Sequence, residues 1–241
     1  MEEQRIDING SSLFDAIKFR SIQAHRVRLI RDLLKDKADL SRASVIDIGS
    51  GSGHLAASLP ELNPRNYTGL DGSNKQVEIA KARGLRVERC NLGEGIPFEA
   101  NRFDIAFALE IIEHLFQTEF FLEEIFRVLK PGGILILSTP NVTGLGCRIK
   151  CLLGKRPAVI ECRSRENVQG HIRAFDMSDI SALISEAGFK DIRIVGREFL
   201  FPEFAKALFS IGLVRELNFY LCRKLPSINP GFLVFCRKPS R

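Results

Sequence analysis

Apolar residues fall into two rhythms along this chain. From Leu13 to about Lys37, the positions Leu13, Phe14, Ile17, Ile22, Val27, Ile30, Leu33 and Leu34 recur at helical spacing among arginines and lysines. That predicts one or two amphipathic helices ahead of the first strand. Short apolar runs follow at Ser44–Ile48, Tyr67–Asp71, Leu85–Arg89, Phe103–Leu109 and Ile134–Ser138. Helical stretches separate them at about Gly53–Leu59, Asn74–Arg83 and Glu119–Leu129, the last with Phe120, Phe121, Ile125, Val128 and Leu129 on one side. Lys130-Pro131-Gly132-Gly133 closes that helix with its breakers. The interior of Ile134–Ser138 is wholly apolar, as a strand covered on both faces requires. Strands alternating with helices over 44–140 predict an α/β, doubly wound, mostly parallel sheet, whose ligands gather at the carboxyl ends of its strands.

Those ends carry the chemistry. Val45-Ile46-Asp47-Ile48-Gly49-Ser50-Gly51-Ser52-Gly53-His54-Leu55 is a β-branched run ending in an acid, then a glycine at every second position, then a helix start. A strand turning tightly into a helix N-terminus sets backbone N–H groups against a ligand. A dinucleotide fingerprint needs glycine where His54 stands. The pattern D-x-G-x-G-x-G therefore points to a nucleoside-type ligand other than NAD, with a NAD-dependent oxidoreductase as a distant alternative. Asp71 ends the second strand 20 residues beyond Gly51, where a carboxylate accepts ribose hydroxyls. Asn91 and Glu110 fall at the ends of the third and fourth strands.

Composition narrows the partners. The 241 residues fit one domain, 1–241, with a helical cap at 1–40 and elaborations at 141–175 and 197–230. A net charge of +6 suits an anionic substrate or a membrane surface and is too small to argue for nucleic acid. The six cysteines show no C-x-x-C pair; with no signal-peptide pattern at the start, they read as reduced thiols of a cytoplasmic protein. No apolar run reaches bilayer-spanning length.

Six segments, VIDIGSGSGHLA, YTGLDGS, CNLGEGIPF, FDIAFALEIIEHL, FRVLKPGGILILSTPN and GHIRAFDMSDISALISEAGF, together resemble the class I S-adenosylmethionine-dependent methyltransferases in order and spacing over roughly residues 42–195. The resemblance implies a Rossmann-like, seven-stranded sheet with an antiparallel last strand, here Phe232–Arg237 after a strand near Asp191–Val195. It implies that the turn of Gly49, Ser50, Gly51 and Gly53 approaches the methionine part of S-adenosylmethionine, Asp47 its amino group and Asp71 the ribose. Asn91 stands where the family often has an acid for the adenine amino group; its side-chain carbonyl is a weaker, uncharged acceptor. Gly72, Leu92 and Leu109 complete the expected cofactor set.

Methyl transfer to a hydroxyl also needs the acceptor's proton removed, by a base or by a metal that lowers its pKa. Glu110-Ile111-Ile112-Glu113-His114 supplies two carboxylates and an imidazole that converge if the stretch is helical. It resembles the E-x-x-E-H stretch of polyprenyl-quinone O-methyltransferases and small-RNA 3′-end methyltransferases, where it is associated with metal. Glu110, Glu113 and His114 are thus candidate ligands for Mg²⁺ or Mn²⁺, with a structural turn beside the cofactor as the alternative. His171, in Gly170-His171-Ile172-Arg173, reads as a base, a fourth ligand or a turn residue; Glu110, His114 and His171 are the candidate catalytic groups. Asn141–Gly170 mixes Arg148, Lys150, Lys155, Arg156, Arg163 and Arg165 with Leu152, Leu153 and Ile160, which suits a lid, an anionic substrate or a solvated surface. The aromatic stretch 199–225 fits core or lid packing, an acceptor pocket or peripheral membrane contact. The acceptor expected is a small molecule, lipid-linked, quinone-like or glycan. The alternatives are a metal-dependent RNA 2′-O-methyltransferase and a cofactor-binding partner protein without turnover.

Overall fold

A computed structural model describes residues 13–157, 159–160, 170–197 and 212–240, with the side chains of 13–23 and 212–215 left out of account. The N-terminal pattern forms one helix, α1 (Leu13–Leu34). The alternating units follow as β1 (Val45–Ile48), α2 (His54–Ser58), β2 (Tyr67–Asp71), α3 (Asn74–Ala82), β3 (Val87–Arg89), β4 (Phe103–Leu109), α4 (Thr118–Val128) and β5 (Leu129–Pro140). Then come α5 (Leu145–Leu152), α6 (Met177–Glu186), β6 (Lys190–Gly196), α7 (Gly212–Lys224) and β7 (Gly231–Arg237). The sheet runs in the order β3-β2-β1-β4-β5-β7-β6. β1 to β5 pair in parallel, while β7 lies antiparallel between β5 and β6. This is the doubly wound sheet that the pattern predicts, with the seven strands and the antiparallel last strand that the resemblance implies.

Period-two alternation sorts each strand's side chains onto the sheet's two faces. Ile46, Ile48, Ala106, Leu135 and Leu137 meet Phe121, Leu122 and Ile125 of α4 and Ile180 and Ile184 of α6. Val45, Ile105, Phe107, Ile134 and Ile136 meet Leu29, Ile30 and Leu33 of α1, Val77 and Ala80 of α3 and Phe219 of α7. α1 is therefore a layer of the core, with Leu29 and Ile30 fully covered. A buried side chain of this size contributes roughly 1.5–3 kcal/mol relative to exposure.

Two boundaries differ from the sequence reading. β5 begins at Leu129, so Lys130–Gly133 belongs to the strand as well as ending the helix. The extension is held by its neighbours: Gly132 N–H donates to the Lys238 carbonyl and Lys238 N–H donates to that of Gly133. Of the 199–225 stretch, residues 199–211 lie outside the described residues. The remainder forms α7, which buries Phe219 and Cys222 and leaves Leu217 and Tyr220 exposed. No described helix is long and apolar enough to cross a membrane.

Candidate active site

β1 delivers Asp47 and the glycine turn to the middle of the sheet's carboxyl edge. Gly49 and Ser50 both donate to the Leu70 carbonyl, stitching the turn to β2. Gly53 has φ 81° and an added Cβ would lie 2.1 Å from Leu85 Cδ1, so both backbone and packing demand glycine there. Asp71 closes the turn from β2: Oδ2 accepts from Gly51 N–H at 2.8 Å and Oδ1 from Ser73 N–H at 2.9 Å. Each oxygen keeps a lone pair for a further donor, and Gly72 beside it is exposed.

Asp47 is only 3% exposed and its Oδ2 accepts from the Tyr67 hydroxyl at 2.8 Å. Burial pushes its carboxyl up to about 7; the Tyr67 hydrogen bond opposes the rise, and the Asp71 charge adds to it. At the end of β3, Asn91 caps a 3₁₀ turn by accepting from Gly93 N–H at 3.2 Å and donates to Glu94 Oε1 at 2.7 Å. Leu92 and Leu109 stand half-buried beside these groups.

The end of β4 departs from the expected geometry. Only Ile112–His114 forms a helical turn, and Glu110, before it, sits at φ 56°, a left-handed conformation. The side chain of Glu110 therefore leaves the face shared by Glu113 and His114. Its Oε1 accepts from the Ser138 hydroxyl at 2.6 Å, and its Oε2 pairs with Arg197. Burial would raise the Glu110 carboxyl, but the charges of Arg197 and Arg26 and the hydrogen bonds from Arg197 and Ser138 hold it below the usual range. Glu110 is thus corrected from metal ligand to ion-pair partner.

His171 takes the place left by Glu110. One donor atom each from Glu113, His114 and His171 lie within 4.8 Å of one another. Glu113 is 1% exposed; Oε2 accepts from Thr139 Oγ1 at 3.1 Å, and Oε1, 4.0 Å from His171 Nε2, has no hydrogen-bond partner. Burial, with the Glu110 charge adding to it, pushes the Glu113 carboxyl up to about 8. His114 Nδ1 is 3.0 Å from the Gly170 carbonyl, and the two imidazole centroids are 5.0 Å apart. The backbone fastens His171 here: Ile172 N–H and Arg173 N–H both donate to the Glu113 carbonyl.

Arg26 and Arg197 were not legible as functional residues. Each is one arginine among many in the sequence, and the signal for Arg197 lies in a distant glycine. A Cβ at Gly231 would stand 2.7 Å from the Arg197 guanidinium, so this glycine makes the channel in which Arg197 reaches Glu110.

Residues 46–137 match the family model described as "Methyltransferase domain". Among curated proteins, the chain is 31% identical over 151 residues to the mitochondrial ubiquinone biosynthesis O-methyltransferase of Mus musculus, covering 56% of this chain and 40% of the relative. It is 28% identical over 134 residues to the ubiquinone biosynthesis O-methyltransferase of Pelagibacter ubique, covering 54% and 55%. The chain spans about half the length of the curated relatives it matches. Its fold superposes on a SAM-dependent methyltransferase from Thermotoga maritima with a TM-score of 0.58 at 21% identity, over 93% of this chain and 96% of that one. Fold, glycine turn and the methyltransferase-domain match over residues 46–137 make the chain similar to the class I S-adenosylmethionine-dependent methyltransferases.

Proposed function

We propose that this chain transfers the methyl group of S-adenosylmethionine to a hydroxyl of a small molecule, lipid-linked, quinone-like or glycan, in a cytoplasmic setting. The observation that carries the reading is the Glu113, His114 and His171 cluster beside the cofactor turn, at the carboxyl ends of β4 and β5. The sulfonium is already an activated electrophile, so the protein's work is alignment, exclusion of water and removal of the acceptor proton. Gly49–Gly53 receives the methionine part, Asp47 its ammonium, Asp71 the ribose hydroxyls, and Asn91 with Leu92 the adenine edge. His171 takes the acceptor proton as the oxygen attacks the methyl carbon, and S-adenosylhomocysteine leaves. The printed names of the curated relatives, ubiquinone biosynthesis O-methyltransferases, support oxygen as the acceptor atom and a quinone-like ring among its classes.

The orphaned Oε1 of Glu113 favours a second feature of the same site. A buried carboxylate oxygen without a donor is costly unless something completes it. Carboxylate and imidazole donors at this spacing suit Mg²⁺ or Mn²⁺, which Glu113, His114 and His171 would hold; the ion would then lower the pKa of the acceptor hydroxyl in place of His171 acting as base. Tritiated methyl transfer into fractionated lipid, glycan and RNA pools tests the main reading. Label in the lipid or glycan pool supports it, label in RNA favours the RNA 2′-O-methyltransferase, and cofactor binding without label anywhere favours a partner protein without turnover. Direct Mn²⁺ titration of the purified chain tests the metal, and no binding removes it.

A further inference from the structure

The loop that joins β3 to β4 has little regular structure of its own: a 3₁₀ turn at Leu92–Glu94, then neither helix nor strand until Phe103. It is tied down from α4. Arg127 and Glu124 form an ion pair one helical turn apart, with Nε donating to Oε1 at 2.6 Å and Nη2 to Oε2 at 2.8 Å. That pair captures both backbone groups of Ile96. Glu124 Oε2 accepts from the Ile96 N–H at 2.8 Å, and Arg127 Nη2 donates to the Ile96 carbonyl at 2.9 Å. Arg127 Nη1 also donates to the Phe98 carbonyl at 2.8 Å. The hydrogen bonds from Arg127, with that from the Ile96 N–H, hold the Glu124 carboxyl below the usual carboxylate range against the effect of burial.

These bonds fix the loop rather than the helix. α4 is fastened to the sheet by Phe121, Leu122, Ile125 and Val128, all buried, whereas Glu124 and Arg127 are half-buried and lie off that face. The loop is shaped for the contact. Gly95 has φ 103°, and a Cβ there would stand 3.0 Å from Glu124 Oε2. The Cys90 thiol donates to the Gly95 carbonyl at 3.4 Å, which passes the constraint back to the residue before Asn91.

Asn91 is thereby held in one orientation. Its Oδ1 accepts from Gly93 N–H and its Nδ2 donates to Glu94 Oε1, so flipping the amide would set oxygen against carboxylate and nitrogen against N–H. The remaining lone pair of Oδ1 is a fixed acceptor, which suits the 6-amino group of adenine and repels the 6-oxo group of hypoxanthine. Building on the assignment of Asn91 and Leu92 to the adenine edge, we propose that Glu124 and Arg127 are positioning residues for base recognition: by gripping Ile96 and Phe98 they keep the Asn91 oxygen where it selects adenine. Both act through the loop and not by contact with the cofactor.

The test is calorimetry of the full chain with S-adenosylhomocysteine and with S-inosylhomocysteine, in which hypoxanthine replaces adenine. Wild type is expected to prefer the adenine ligand by roughly tenfold or more. Arg127→Ala should lose most of that preference, weakening S-adenosylhomocysteine while leaving the inosine ligand nearly unchanged. Arg127→Lys, which can reach a carbonyl but cannot form the bidentate pair, should fall between the two. Gly95→Ala crowds the same carboxylate from the loop side without altering α4; it should reproduce the loss, and it keeps the test decisive if Arg127→Ala fails to fold. A preference that survives both alanine variants overturns this inference alone. So does an equal fall for both ligands, because the pair would then serve only the fold. Absence of any preference in wild type overturns it together with the adenine assignment.

Discussion

The carboxyl ends of β1 to β3 and those of β4 and β5 are built on opposite plans. In the first half, both Asp71 oxygens accept from backbone amides, Asn91 caps its own turn, and Asp47 rests on Tyr67. Those groups are satisfied before any ligand arrives, so a cofactor adds bonds to a rigid frame. In the second half, Glu113 keeps a buried oxygen with no partner and Glu110 holds a left-handed backbone. This half carries cost that a substrate or ion can relieve. The difference lies in the carboxylates, because the glycine turn also holds one buried polar atom without a hydrogen-bond partner, Ser50 Oγ.

The largest break in that contrast should come from His171→Ala. Methyl transfer is expected to fall by roughly 10²–10⁴-fold with cofactor affinity unchanged, measured by label transfer against calorimetry with S-adenosylmethionine; unchanged turnover would remove His171 from the chemistry. Next in size is Arg197→Gln, which strips Glu110 of its partner and should destabilise the fold by roughly 3 kcal/mol. Adding Glu110→Gln should recover most of that loss in denaturant melts. Failure to recover would mean that Arg197 acts through something other than Glu110.

Asp71→Ala acts on the paired half. It should weaken S-adenosylmethionine binding by about 2–4 kcal/mol through loss of two charge-assisted hydrogen bonds, and equal affinity in calorimetry would refute the ribose assignment. The last effect is a slope rather than a step. Glu113 stays protonated in the folded state up to about 8, whereas its ordinary value is 4.5. Between those values the folded state binds the extra proton, so wild-type stability should decline as pH rises, by up to about 1.4 kcal/mol per pH unit. Glu113→Gln should flatten that decline, and parallel stability–pH curves would contradict the buried, protonated carboxyl.

The contrast also explains what was legible beforehand. Asp47, Gly49, Gly51, Gly53 and Asp71 act through local backbone geometry, and a turn's register is written in consecutive residues. Glu110 and Glu113 are equally close in sequence, yet their spacing misleads, because a single left-handed residue ends the helical relation between them. His171 could be flagged as chemistry, but its seat against Glu113 depends on backbone hydrogen bonds between segments some 60 residues apart. Arg197 was invisible for the same reason, since its channel is a missing side chain at Gly231, 34 residues on.

The sequence by itself determined the order of strands and helices, the doubly wound sheet and the nucleoside-type turn, because hydrophobic period and glycine placement are local. Only the tertiary structure decided which carboxylate pairs with an arginine and which stays buried beside two imidazoles. Those outcomes depend on what lies across a sheet edge, where residues distant in the chain set the charge, the burial and the room available to each side chain.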